Sequence, residues 1–300
     1  MLHVKFGGED GICLENQHLR VIVIPGRGGK TASVRRKDSS FELLFQQCED
    51  QYPTLYPGMP FSQGDSSGFD DVFPSMGEQI RLGGRILTMP DHGEIWTLPM
   101  DTVQEEGALI QTCQGRLLPY RYEKRIWLDE DSVRYEISIC NTSKYAFPCV
   151  WLCHCLMNLE EGAVFALPWE GQLAQNILAG SPLGSVGQLH VHGGAYDFDH
   201  QPSPGLALKY YLSQPVRKGL CVVDYPRSGV RAELSFDPEE MPYLGFWITT
   251  GGYRGHNNFA FEPATGYYDT IGCSQERGRS TVLEPSQTLR MHLGIRLCNL

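Results

Sequence analysis

The chain has 300 residues, 41% of them hydrophobic, and a formal net charge of −10. That is enough apolar material for a large core, and the acidic balance repels both phosphate backbones and anionic lipid surfaces. No run approaches the ~20 apolar residues of a membrane-spanning helix, and Met1 to Asp10 lacks the basic-then-apolar order of a secretion signal. The expectation is a cytoplasmic protein with neither nucleic acid nor membrane as partner. Ten cysteines are present. Cys13, Cys48, Cys113, Cys140, Cys149, Cys221, Cys273 and Cys298 scatter through hydrophobic runs and read as small buried hydrophobes, since a chain of this length needs no disulfide staples.

Taken in chain order, the pattern has period two. Leu19–Ile24 is the first alternating run, and residues 42–50 read as a short helix. Residues 52–77, rich in Pro, Gly, Ser and Asp, read as an irregular and functional loop. Alternation returns at 85–89, 121–128 and 133–140. In the last of these Val133, Tyr135, Ile137 and Ile139 alternate with Arg134, Glu136, Ser138 and Cys140. Residues 169–205 lack clear alternation. Leu220–Tyr225, Val230–Phe236 and 289–298 complete the set of strands with one buried face. Polar turn clusters separate them, and 33 Gly and 19 Pro fit many turns. No long capped helix, internal repeat or linker is visible. The prediction is all-β, two packed antiparallel sheets in a sandwich, as one domain over 1–300.

Several motifs fail on inspection. Gly29-Lys30-Thr31 imitates the end of a phosphate-binding loop, but the position that needs the first Gly is Ile24. Gly64-Asp65-Ser66-Ser67-Gly68 echoes a serine-protease sequence without a partner His in a comparable context. Cys153-His154-Cys155 looks like a metal cluster, yet on a strand His154 faces away from both cysteines. No second cysteine pair has zinc spacing. Neither a metal nor any cofactor is expected.

Three segments place ionisable groups where packing alone would not. In Asp91-His92-Gly93-Glu94-Ile95-Trp96 an extended backbone points His92, Glu94 and Trp96 one way, giving a wall suited to a polar ligand with apolar faces. A sugar is such a ligand. His154 is the one ionisable side chain in the apolar stretch from Val150 to Leu159, where burial and neighbouring charge set its protonation near neutrality. Glu262 ends an aromatic-rich strand and precedes Pro263, which opens the ladder into a loop.

Together and in this order these segments resemble the aldose 1-epimerase (galactose mutarotase-like) family. Gly28-Gly29-Lys30-Thr31-Ala32-Ser33-Val34 is similar to the family's first hairpin. Gly68-Phe69-Asp70-Asp71-Val72-Phe73-Pro74 and Asp91-His92-Gly93-Glu94 look like segments of its divergent bacterial members. His154-Cys155-Leu156-Met157-Asn158-Leu159 resembles its His-x-x-Phe-Asn-Leu motif with Met157 in place of Phe. Phe261-Glu262-Pro263 resembles the strand end bearing its catalytic glutamate. The resemblance implies an antiparallel β-supersandwich over nearly the whole chain and an isomerase acting on a small-molecule sugar, as a monomer or homodimer.

It also implies roles. Glu262 takes the anomeric proton as general base, His154 protonates the ring oxygen as general acid, and His92 binds a hydroxyl. Ordinary values support that division, with a glutamate ionised and a histidine partly protonated at pH 7. Family members carry an Arg before the first His motif, for which Arg81 and Arg85 lie near. They also carry a late sugar-binding Asp. None stands in 208–217, and Asp70 or Asp71 is the substitute considered. Trp96, Trp151 and Trp247 are candidates to stack on a sugar face, although core packing suits them as well. The alternatives are a non-catalytic carbohydrate-binding protein on the same fold and a sugar-phosphate 1-epimerase, whose basic pocket would draw on Arg81, Arg85 or Arg254.

Overall fold

Period-two alternation decides which face each strand gives to the interior. The computed structural model describes residues 2–47, 51–64 and 66–300. Leu19–Ile24, Leu220–Tyr225 and Val230–Phe236 are strands with the bounds expected. The runs at 121–128, 133–140 and 289–298 lengthen slightly to Tyr120–Asp129, Ser132–Asn141 and Thr288–Asn299. The run at 85–89 is Arg85–Thr88.

The strands form a 12-stranded sheet and an 8-stranded sheet, with two small two-stranded sheets beside them. The ladders are antiparallel, so the all-β expectation holds. The smaller sheet turns Tyr122, Ile126, Tyr135, Ile137, Met291, Leu293 and Ile295 inward. The larger turns Phe69, Cys153, Cys155, Phe246, Ile248, Phe259 and Phe261 to meet them in one apolar cluster. The centre of the larger sheet runs, strand beside strand, Lys30–Arg36, Phe69–Val72, Leu152–Cys155, Asn257–Ala264, Tyr243–Thr250 and Ala207–Leu212.

Two expectations fail for local reasons. Residues 42–47 are extended, not helical. Leu43 N donates to Val34 O at 3.0 Å and Phe45 N to Leu156 O at 2.9 Å, so the backbone is already committed to flanking strands. Residues 48–50 of that segment lie outside the described residues, as does Asp65. The stretches read as irregular contain the short strands Phe69–Val72, Leu173–Asn176 and Leu189–Val191. Phe69–Val72 is buried at all four positions, and a strand covered on both faces shows no alternation to read.

One cation stands on the inward face. Lys124 shares its face with Tyr122 and Ile126 and is fully buried. Its Nζ lies 2.8 Å from Asp71 Oδ2 on the larger sheet and 4.2 Å from the Phe69 ring centroid. Asp71 Oδ1 accepts from Trp151 Nε1 at 3.0 Å. The pair bridges the two sheets inside hydrocarbon. Removing one partner of such a pair strands the other's charge. Lys124→Met is expected to destabilise by about 3–5 kcal/mol in urea unfolding. Lys124→Met combined with Asp71→Leu is expected to recover most of that loss. A double variant no more stable than the single one would show that the stranded carboxylate is not the cause.

Candidate active site

The alternation that fills the interior turns a second set of side chains to the outer face of the larger sheet. On Leu152–Cys155, His154 is opposite Asp70 while Cys153 is opposite Asp71. Both cysteines are in the core cluster, and His154 faces the other way, as strand parity requires. On Asn257–Ala264, Phe259 and Phe261 enter the core while Asn258 and Glu262 face outward. On Tyr243–Thr250, Phe246 and Ile248 enter the core while Trp247 faces outward. On Ala207–Leu212, Leu208, Tyr210 and Leu212 enter the core while Lys209 faces outward. These outward groups line a cavity of about 290 Å³, closed in by Phe61, His92, Tyr253, His256 and Asp269 among others.

His154 and Glu262 therefore share one cavity, and His92 joins them. The His154 ring lies edge-on to His92 (centroids 5.0 Å apart, planes at 87°) and to Phe61 (5.0 Å, 77°). It is 8% exposed, and its buried Nδ1 has no hydrogen-bond partner among the described residues. His92 stacks on Phe61 at 3.8 Å, with Nδ1 2.8 Å from Asp91 Oδ1. Glu262 is 1% exposed. Lys209 Nζ stands 3.1 Å from its Oε2 and 2.8 Å from Asp269 Oδ2. The contact with Glu262 is an ion pair short of a well-aimed hydrogen bond.

Six sequence candidates, Asp70, Asp71, Arg85, Glu94, Trp96 and Trp151, lie outside the cavity lining. The segment from His92 to Trp96 is not extended. His92 has φ 59° and Gly93 φ 73°, and a Cβ at Gly93 would stand 2.0 Å from Phe73 O. A 3-10 turn follows over Ile95–Thr97. The three side chains consequently part. Glu94 is buried and accepts from the backbone N–H of Arg116 and Leu117, each at 3.0 Å. Trp96 is buried against Phe61 and donates Nε1 to Asp91 O at 3.1 Å. Asp71 faces the core and Lys124, and Asp70 pairs with Lys30 at 2.5 Å. Arg85 is exposed on a hairpin with Gln79–Leu82. Of the three tryptophans, Trp247 reaches the cavity, and its Nε1 donates to Asn258 Oδ1 at 3.0 Å. Lys209, Asp269, Asn258 and His256 were not anticipated. For Lys209 a signal existed, since it is the single charge in the apolar strand Ala207–Leu212, the same feature that singled out His154.

Burial reshapes the acid–base balance. Desolvation, then the neighbouring His92 and Lys209, hold His154 well below its ordinary value. Desolvation also lowers His92, against the pull of Asp91. Desolvation pushes Glu262 up to about 7, with Lys209 opposing it and Asp269 adding to it. These shifts run against the unperturbed values: near neutrality the His154 imidazole is neutral and the Glu262 carboxyl is about half protonated.

The architecture has known counterparts. A protein from Synechocystis superposes with a TM-score of 0.78 at 18% identity, with all of each chain covered. A galactose mutarotase related enzyme from Lactobacillus acidophilus gives 0.68 at 13% identity over 96% of this chain and 97% of that one. A galactose mutarotase-like protein from Clostridium acetobutylicum gives 0.73 at 13% identity over 100% and 98%. At such identities the likeness is one of fold, and the fold is the galactose mutarotase-like sandwich expected from the motifs. No family model and no curated protein matches the chain in sequence. No helix among the described residues is long and apolar enough to cross a membrane.

The depressed histidines have a measurable consequence. The unfolded chain protonates them near 6.5 while the fold resists. Their contribution is complete above that pH and is lost as pH falls below it, by up to about 1.4 kcal/mol per pH unit for each. Glu262 acts in the opposite sense between 4.5 and about 7, so the histidine part is isolated by difference. His154→Gln is expected to lessen the loss of stability between about pH 7 and about pH 5 in urea unfolding. Identical wild-type and variant pH dependences would mean that the folded protein protonates His154 freely.

Proposed function

We propose that the chain is an aldose 1-epimerase-like isomerase that interconverts the α and β anomers of a free aldose, with His154 and Glu262 as its acid–base pair. The observation that carries this reading is their convergence, from distant parts of the sequence, on one cavity of about 290 Å³. That volume is at the small end of ligand sites, ~300 Å³ and upward, and suits one sugar ring rather than a chain of them. Phe61, Trp247 and Tyr253 offer apolar faces, and Asn258 and His92 offer polar contacts.

Ring opening removes the proton from the anomeric hydroxyl, delivers a proton to the ring oxygen and breaks the bond between C1 and that oxygen. The open aldehyde turns about its first carbon–carbon bond and closes on the other face. No electron changes hands, and two groups holding one proton between them suffice. Relocating that proton from Glu262 to His154 as the hydroxyl docks produces the base and the acid together. The working state is then the pair with one proton, and it disappears as pH rises past about 7, where Glu262 gives its proton up.

A free sugar fits better than a phosphorylated one. Lys209, the lysine of the cavity lining, is already neutralised by Glu262 and Asp269. Arg81 and Arg85 lie on the separate hairpin. Arg254 supplies one guanidinium beside Ser66, with Nη1 3.4 Å from Oγ.

Polarimetry on freshly dissolved α-aldoses tests the reading. Wild type is expected to accelerate mutarotation, and His154→Ala and Glu262→Ala are each expected to lose about 10²–10⁴-fold. The rate constant kcat/KM should fall above about pH 7. If wild type matches buffer for every sugar yet binds one, the chain is a carbohydrate-binding protein. If it acts only on sugar phosphates, with an affinity that collapses in salt, the phosphate-dependent reading replaces this one.

A further inference from the structure

Lys209 rises from Ala207–Leu212 onto the cavity face. The cross-strand register places Tyr211, Gly245 and Glu262 in one row over three strands. Gly245 leaves the middle of that row bare. A Cβ there would stand 3.0 Å from Glu262 Oε2 and 3.1 Å from the Tyr211 ring. The carboxylate's flank is open, and Lys209 Nζ reaches it at 3.1 Å. Asp269 holds the same ammonium at 2.8 Å and is itself held by Tyr211 Oη, which donates to Oδ1 at 2.8 Å. The chain of contacts runs Tyr211, Asp269, Lys209, Glu262, and every member is largely buried.

We propose that Lys209 is a positioning residue, its ammonium clamped by Asp269 so as to fix the orientation and the charge of the Glu262 carboxylate in the cavity. This rests on the reading of Glu262 as an acid–base group. Lys209 engages Oε2, which leaves Oε1 as the oxygen for a sugar hydroxyl. An amine held between two carboxylates stays protonated, and Lys209 is pushed above its ordinary value accordingly. That excludes it as a nucleophile toward the open-chain aldehyde. The other charged or titratable groups around the cluster include His92 with its partner Asp91, His154, Lys30 behind His154, His256 and Tyr253 in the cavity lining, and Tyr267 and Tyr268 packed on Tyr211. Desolvation holds both imidazoles neutral and Lys209 adds to it, while the same charge favours the ionised carboxylate.

The test follows the Glu262 carboxyl by carbon NMR across pH in the sugar-free protein, beside polarimetry. In Lys209→Met the Glu262 titration is expected to move upward by about 1–3 in pH. Lys209→Arg should keep it near the wild-type position. Lys209→Met should lose about tenfold or more in kcat with little change in KM, and Lys209→Arg should retain most of the rate. A Glu262 titration at the same pH in Lys209→Met and wild type overturns the proposal. If Lys209→Met does not fold, Lys209→Gln, which removes the charge and keeps a polar side chain, decides, and a Glu262 titration at the wild-type pH overturns it. Should wild type accelerate no anomerisation while the titration moves as stated, the enzymatic reading fails and the positioning role of Lys209 stands.

Discussion

An ammonium or carboxylate taken out of water must meet an opposite charge or a set of hydrogen-bond partners within the protein, or it gives up its own charge. The larger sheet solves this problem three times. Asp70 and Asp71 are consecutive on Phe69–Val72 and so point to opposite faces. Asp71 meets Lys124 across the interior, and Asp70 meets Lys30 beside His154. Glu262 and Asp269 enclose Lys209 at the cavity. The first pair ties the two sheets together. The second flanks the strand that carries the imidazole. The third sets the state of the carboxylate that faces the sugar-sized space.

The chemistry of the site grows out of the same desolvation. A histidine and a glutamate at a water-exposed rim would differ in acidity in the ordinary direction. Here burial lowers the histidine and raises the glutamate, which reverses that order.

The fold was legible because alternation survives wherever one face of a strand meets water, as in Ser132–Asn141 and Thr288–Asn299. It was illegible in Phe69–Val72, covered on both sides, and in residues 42–47, whose hydrogen bonds go to neighbours far off in sequence. Within the site, His154 and Glu262 stood out as lone charges in apolar runs. Glu94 and Trp96 were misplaced because an extended backbone was assumed where His92 and Gly93 adopt left-handed conformations. Asp71 was misplaced because its partner, Lys124, comes from the opposite sheet. Lys209 is a lone charge in an apolar strand, but its role becomes legible only with Glu262 and Asp269, both distant in sequence, on either side of it.

Gly245 has a consequence beyond the row it belongs to. On four neighbouring strands, one parity builds the interior and the other builds the cavity. A ladder that slipped by a single residue would carry Phe261 into the space meant for a ligand and drive Glu262 into hydrocarbon. It would also set a side chain where the bare position now admits the carboxylate. Misregistration at this point would silence the site and unsettle the sandwich at once, so whatever occupies the cavity also reports that these strands have found their proper partners.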